Sequence, residues 1–383
     1  MNTSESAREN KRILIFPFNL LSHYLRCLVL AGRYRDNGYE VLFLHSEEYI
    51  THIREHGYET FRADQFDSAY VMQCSAKFSF GWLNQKDIER VYLSQKQAIE
   101  QYKPEFVIGD MAPCLKMAAE ASSSKYVALM NGYMSRYYAH VRELSRTHPA
   151  YKYLSKLPEK WADSITSLAE KRAFRKVHQP FDRLRKQYGL KKVGDFLAEM
   201  EGDENLICDL PKLFPQLTLP DNYRFIDPLM YKPNGLDSKW IPELDTSKHI
   251  ICVCMGSSGD WQQLAFLNKP EFSEYTIITA GDKEGVLAGS HICSRDFVYL
   301  DELLPKCSLL ICHGGNGTIY AGLKAGLFML CVSSHFEQEW NIHALERIGY
   351  GKSANGFDPE DWKKELTLAM RFENSPVCLR EAF

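Results

Sequence analysis

The sequence predicts an α/β protein of two domains, each built on a parallel sheet. Three observations carry that prediction. Two stretches, Arg12 to Leu44 and Leu309 to Val332, read as strand, loop, helix and strand, the unit that joins parallel strands through a crossover helix. Between them Pro211, Pro215, Pro220, Pro228, Pro233 and Pro242 punctuate a linker, as a domain boundary does. Finally, 383 residues at 45% hydrophobic content can bury two cores. The expected division is 1–225 for the first domain, 226–247 for the linker and 248–383 for the second domain.

In the first domain, Arg12 to Phe16 reads as a buried strand. Pro17 to Ser22 is a loop, and His23 opens a helix with apolar residues at Leu25, Leu28, Val29 and Leu30 before Gly38. Glu40 to Leu44 is the second strand, Glu59 to Phe61 a third, and Lys86 to Tyr102 an amphipathic helix. Glu105 to Gly109 forms a strand that delivers Asp110 at its carboxyl end, where open α/β sheets bind ligands. Taken alone, Asp110 is an ordinary helix cap and His23 an ordinary helix-start residue. A helix through Leu115 and Ala121 leads to the strand Lys125 to Leu129.

Residues 133–192 are rich in Lys and Arg interleaved with Tyr and Trp, helical, and broken by Pro149, Pro158 and Pro180. The plain reading is a solvated helical insertion; an anionic acceptor or a membrane surface is the alternative. Leu206 to Cys208 reads as the last strand of this domain.

The second domain opens with the strand His249 to Met255 and the turn Gly256-Ser257-Ser258-Gly259. Tyr275 to Thr279 is a further strand, and Phe297 to Leu300 leads into Leu303-Leu304-Pro305. Leu309 to Cys312 is a strand feeding His313-Gly314-Gly315-Asn316-Gly317-Thr318, and the apolar positions Ile319, Leu323 and Leu327 continue as a helix. The glycines allow close backbone approach, and the helix start offers unpaired N–H groups and partial positive charge. An anion, phosphate above all, suits such a turn. Neither the P-loop nor G-x-G-x-x-G is present. Phe328 to Val332 is the next strand, Ser333 to Asn341 a polar, aromatic loop, and helices follow at Ile342 to Gly349 and Asp358 to Phe372.

The stretch from His313 to Asn341 resembles the donor-binding segment of the inverting GT-B glycosyltransferases, the family of UDP-glucuronosyl, plant natural-product and macrolide enzymes. The matching positions are His313, Gly315, Gly317, Thr318, Glu337, Gln338 and Asn341. The first strand, His23 and the helix ending at Gly38 resemble the same family's opening segment. The resemblance implies two Rossmann-like domains with parallel sheets facing a central cleft. It implies His23 as the general base that deprotonates an acceptor hydroxyl, oriented by Asp110. It implies donor contacts from Gly256, Ser257, Phe297, Val298, His313, Gly315, Asn316, Gly317, Thr318, Glu337 and Gln338. Two donor-site positions depart from the family, Ala321 where a Glu bonds the donor ribose and Leu300 where plant members have a Gln; elsewhere Ser22 replaces the usual Gly and Asp227-Pro228 the usual Gly-Pro.

The implied activity is inverting transfer of a sugar to a hydroxyl of a small-molecule or lipid-like acceptor. Its co-substrate is a nucleotide-sugar, UDP- or TDP-linked rather than GDP-linked. No cofactor is expected, and no metal either, since the chain lacks the Asp-x-Asp that holds one against a diphosphate. The competing readings are a nucleotide-sugar epimerase on the same fold and a non-catalytic binding protein.

The totals limit partners. A net charge of −3 gives no overall attraction to nucleic acid, and no nucleic-acid motif accompanies the basic segment. Eleven scattered cysteines form neither a zinc pattern nor a disulfide framework, so reduced thiols in the cytoplasm are expected. The polar N-terminus does not read as a signal peptide, and no apolar run reaches the roughly 18 residues that span a bilayer. The expected location is cytoplasmic, with peripheral contact at the inner face of a membrane through 133–192 as the further expectation.

Overall fold

A computed structural model describes residues 11–146, 148–232, 241, 244, 247–256 and 259–373. The chain forms two compact units. The first runs to Ala139 and adds Ser164–Cys208 and Gln216–Leu229; the second takes His140–Asp163, Asp209–Pro215 and the chain from Met230 on. Residues 140–163, which the sequence reading assigns to the first domain, thus group with the second unit.

The first unit carries a seven-stranded parallel sheet. In chain order its elements are β1 (Arg12–Pro17), α1 (Leu21–Asp36), β2 (Glu40–Leu44), α2 (Ile50–Glu55), β3 (Glu59–Phe61), α3 (Ser68–Ala76), α4 (Gln85–Tyr102), β4 (Phe106–Asp110), α5 (Leu115–Ala121) and β5 (Lys125–Met130). Next come α6 (Tyr151–Leu154), grouped with the second unit, α7 (Glu159–Gln187), α8 (Phe196–Met200), β6 (Glu204–Ile207) and β7 (Tyr223–Phe225). The strand order is β3-β2-β1-β4-β5-β6-β7. Ile13 through Phe16 are all buried, because helices cover both faces of a parallel sheet and leave no side for polar alternation.

Three expectations are corrected here. α1 begins at Leu21, so His23 sits inside its first turn. The last strand of this sheet is β7 and not the Leu206–Cys208 stretch; it lies among the prolines just before the expected linker and pairs with β6, and three residues between Pro220 and Pro228 are too few to show a strand pattern. Pro180 does not break α7. A proline inside a helix costs about 3 kcal/mol, but the buried side chains of His178, Phe181, Leu184 and Arg185 anchor this one on both sides of it. Arg185 bonds both oxygens of buried Glu199 (2.6 and 2.8 Å), and His178 Nε2 lies 2.8 Å from the same carboxylate.

The second unit carries a six-stranded parallel sheet: β8 (Ile250–Cys254), β9 (Thr276–Ala280), β10 (Ile292–Arg295), α9 (Leu300–Leu303), β11 (Leu309–Cys312), α10 (Asn316–Ala325), β12 (Met329–Cys331), α11 (Phe336–Ile348), β13 (Gly351–Ser353) and α12 (Pro359–Ala369). Its order is β10-β9-β8-β11-β12-β13. The edge strands β10 and β13 are short and only partly apolar, and the sequence reading omits both. It also reads Ser333 to Asn341 as loop, whereas Phe336 onward is helical. The Phe336–Trp340 ring contact at i, i+4 and the acids Glu337 and Glu339 in the first turn both favour that helix.

Candidate active site

Each sheet reverses its strand order once, and the candidate residues of each unit lie at that reversal. Open α/β sheets bind ligands at the carboxyl ends of strands where the order switches. In the first unit the switch lies between β1 and β4, which pair with Pro17 opposite Asp110. His23 follows β1, and Asp110 ends β4.

His23 Nδ1 lies 3.0 Å from Asp110 Oδ1. Asp110 is fully buried and carries its charge beside a cation that sequence reasoning missed. Arg26, one helical turn beyond His23, donates to both oxygens of Asp110 and, at 2.7 Å, to Asn131 Oδ1. Burial alone would raise the Asp110 pKa. The Arg26 guanidinium, then His23, overcome it and hold the carboxyl far below the ordinary range. Asp110 is therefore a permanent carboxylate. The sequence does hold a faint signal for Arg26: it shares a helix face with His23 (i, i+3) in an otherwise apolar run. A cavity of about 450 Å³, lined by Asn19, His45, Ser46, Glu47, Arg62 and Gln65 among others, opens beside the loop preceding α1.

In the second unit the switch lies between β8 and β11, whose ends pair through Cys254 and Cys312. His313 and Gly256 follow those ends. The imidazole is clamped by backbone. A Cβ on Gly256 would stand 2.6 Å from His313 Cε1, and one on Gly315 2.3 Å from Nε2. Gly256 also has φ +58° and Gly314 φ +82°, conformations open to glycine. His313 is buried, and burial pushes its pKa down to about 4, with the Cys254 backbone opposing and His335 adding to the shift. The ring is neutral at pH 7, and none of the described residues bonds its Nδ1.

α10 starts directly after Gly315, which has no side-chain oxygen to cap the first turn. Asn316, Gly317 and Thr318 form that turn. Its placement is fixed by fully buried Asp209, which accepts from Tyr320 Oη (2.6 Å) and Asn316 Nδ2 (3.3 Å). Sequence reasoning gives Asp209 no role, since its partners are more than a hundred residues away. Asn341 Nδ2 donates to the Gly314 carbonyl (2.9 Å), tying α11 to the glycine turn.

On α11 Glu337 is half-buried, and Gln338 is buried with Oε1 accepting from Ser334 N–H (2.6 Å). The neighbouring Glu339 is buried too, held by Ser145 Oγ (2.7 Å) and the Arg146 N–H (2.8 Å). Phe297, on the loop after β10, is 54% exposed and offers an aromatic face, whereas Val298 is buried. Ala321 is buried on α10 and Leu300 half-buried at the start of α9. Ser257 lies outside the described residues.

No family model matches the chain. Over 362 residues it is 24% identical to the PGL/p-HBAD biosynthesis rhamnosyltransferase of Mycobacterium bovis, covering 90% of this chain and 77% of that one. Over 352 residues it is 25% identical to a PGL/p-HBAD biosynthesis glycosyltransferase of Mycobacterium tuberculosis, covering 90% and 81%. Among solved structures, the glycotransferase of kitacinnamycin matches with a TM-score of 0.69 at 14% identity, over 94% of this chain and 91% of that one. A spinosyn rhamnosyltransferase complexed with thymidine diphosphate matches with a TM-score of 0.65 at 16% identity, over 94% and 90%. The fold and this similarity along nine-tenths of its length make the chain a glycosyltransferase with the GT-B fold.

Proposed function

We infer that the protein transfers a sugar from a UDP- or TDP-linked donor to a hydroxyl of a small-molecule or lipid-like acceptor, with inversion and without a metal ion. The observation that carries this reading is the 3.0 Å approach of His23 Nδ1 to buried Asp110. The buried carboxylate favours the tautomer with its proton on Nδ1, against the Arg26 nitrogen that lies 3.3 Å from the same atom, and in that tautomer Nε2 keeps the lone pair a general base needs. His23 takes the acceptor proton as its oxygen attacks the anomeric carbon from the face opposite the nucleotide. The bond from that carbon to the diphosphate oxygen breaks, and the diphosphate leaves with the electron pair. Negative charge grows on it during the step. The uncapped first turn of α10, His313 and the Thr318 hydroxyl are the donors suited to that charge. Glu337, with the side-chain amide of Gln338, suits hydroxyls of the transferred sugar.

The neighbours' descriptions support the substrate classes: one structure holds thymidine diphosphate and another the spinosyn aglycone. The competing reading is a protein that binds donor and transfers nothing. It is favoured by Ala321 and by a Mycobacterium bovis relative, 25% identical over 257 residues, described as inactive. Donor hydrolysis screened across TDP-, UDP- and GDP-sugars separates the two. The expected result is turnover of a TDP- or UDP-sugar that persists in EDTA, is abolished in His23→Ala, and gives product of inverted anomeric configuration by NMR once an acceptor is found. Donor binding by calorimetry with no turnover for any sugar would establish the competing reading. Retention of configuration would remove His23 as base.

A further inference from the structure

The N-terminal half of α7 is amphipathic in the wrong sense for a globular surface. Trp161, Ile165 and Leu168 recur at i, i+4 and i+7, one face of the helix, and they are 69%, 45% and 51% exposed. Asp163, Thr166, Ser167 and Glu170, on the other side, are the half-buried ones. A surface helix ordinarily buries its apolar stripe; this one shows it to solvent. Tyr153 and Leu157, just upstream, are exposed as well. These five are half of the ten large hydrophobic side chains exposed among the described residues, gathered within sixteen positions. Single exposed hydrophobics need no explanation, but three on one face of one helix do.

Charge selects the occupant. Residues 149–176 hold seven Lys and Arg against three acids, in a chain whose net charge is −3. At about 100° per residue, Glu159, Asp163 and Glu170 fall within about 40° of one another, on the side opposite Trp161. Arg172 and Arg175 continue the Trp161–Leu168 face and are exposed, with exposed Lys160 and Lys171 flanking it. The outward face is thus apolar, then cationic, and carries no acid. A Trp with aliphatic neighbours fits the headgroup–acyl boundary, and flanking cations fit lipid phosphates.

We propose that this face docks the enzyme reversibly on the surface of a bilayer containing anionic lipid. Docking of this kind spans nothing, and no helix among the described residues is long and apolar enough to cross a membrane. None of the face's residues belongs to the proposed catalytic or donor-binding sets, so the inference stands apart from the transfer chemistry.

The test is co-sedimentation of the full chain with vesicles of phosphatidylcholine alone and of phosphatidylcholine with phosphatidylglycerol. The wild type should bind the anionic vesicles at least tenfold more tightly and lose that preference at high salt. Trp161→Glu with Leu168→Glu should lower binding tenfold or more, and Arg172→Glu with Arg175→Glu should abolish the preference for phosphatidylglycerol. Both variants should keep wild-type melting temperature and wild-type affinity for nucleoside diphosphate, which separates lost docking from lost folding. Equal binding to the two vesicle types, or variants that bind like the wild type, would overturn the proposal. So would a wild-type dimer in light scattering that Trp161→Glu dissociates, with no vesicle binding, since a second copy would then be the occupant.

Discussion

Arg26 and Asp110 form a two-pronged buried ion pair in which the guanidinium reaches both carboxylate oxygens, while His23 Nδ1 faces one of them. The carboxylate therefore serves two masters. Arg26 is the larger of the two influences that hold it ionised, and His23 the next. Removing one partner of a buried pair strands the other charge, at a cost of about 3–5 kcal/mol. Arg26→Met should lower unfolding stability by that order; Arg26→Lys should cost less, because Lys keeps the positive charge beside Asp110 and loses only the two-pronged fork.

The same pair has a pH signature with a definite sign. A depressed folded-state carboxyl pKa contributes stability above the unfolded value of about 3.9, lost only as pH falls through the folded value. In the wild type that loss lies far into acid. Without Arg26, burial would raise the Asp110 pKa, and the loss should begin at higher pH. Urea midpoints from pH 7 down to pH 3 check this: a wild-type and Arg26→Met difference that is flat across the range would contradict it.

Asp110→Asn keeps the shape and removes the anion. An amide can donate to His23 Nδ1, which would move the proton to Nε2 and take away the base. By analogy with other His–Asp pairs the expected loss in kcat is up to about 10⁴-fold. Affinity for the nucleoside diphosphate should stay within twofold, since none of the proposed donor contacts involves Asp110. A variant with near wild-type kcat would take Asp110 out of the mechanism.

What the sequence revealed, and what it hid, follows from the reach of each signal. Continuous apolar runs make β1, β4, β8 and β11 legible, because strands buried on two faces admit nothing else; the strand order that places both switch points comes from the structure alone. The edge strands β7, β10 and β13 carry three or four residues each and no such run. The start of α11 looked like loop since its aromatic and acidic residues show no 3.6-residue apolar period. His23 and Asp110 could be paired through the family resemblance, whereas their positions alone read as a helix start and a helix cap. Arg26 could not, because an Arg on a helix is ordinarily solvated and only the fold sets it against a strand end. Asp209 and Ser145 were hidden for the same reason: their partners Tyr320 and Glu339 are distant in sequence.

The clamp on His313 makes its two glycines separable from ordinary turn glycines. A methyl group on Gly315 would stand 2.3 Å from Nε2, and the ring must swing away to admit it. Gly315 has an ordinary negative φ, so Ala there brings no backbone strain, only that displacement. Gly315→Ala should therefore weaken nucleoside diphosphate binding tenfold or more while costing little stability. Gly256→Ala combines the clash with φ +58° and should lose both. Calorimetric titration beside thermal unfolding distinguishes the two outcomes, and unchanged affinity in Gly315→Ala would remove His313 from the donor site.

His313 should also write itself into the stability profile. Its folded pKa of about 4 lies below the ordinary value of 6.5, so between those limits the unfolded chain binds the extra proton. Stability then falls as pH falls through that window. A shift of this size, at about 1.4 kcal/mol per unit, corresponds to roughly 2 kcal/mol between pH 6.5 and 4.5. His313→Gln keeps a neutral polar group in the site and cannot take the proton. Its stability should decline less steeply over this range, the two profiles converging toward pH 4.5. Nucleoside diphosphate held against the ring would raise the His313 pKa, so binding should draw in protons near pH 5.5 in the wild type and fewer in His313→Gln. Calorimetry in buffers of different ionisation enthalpy counts those protons, and equal uptake by both proteins would show that the diphosphate does not reach His313.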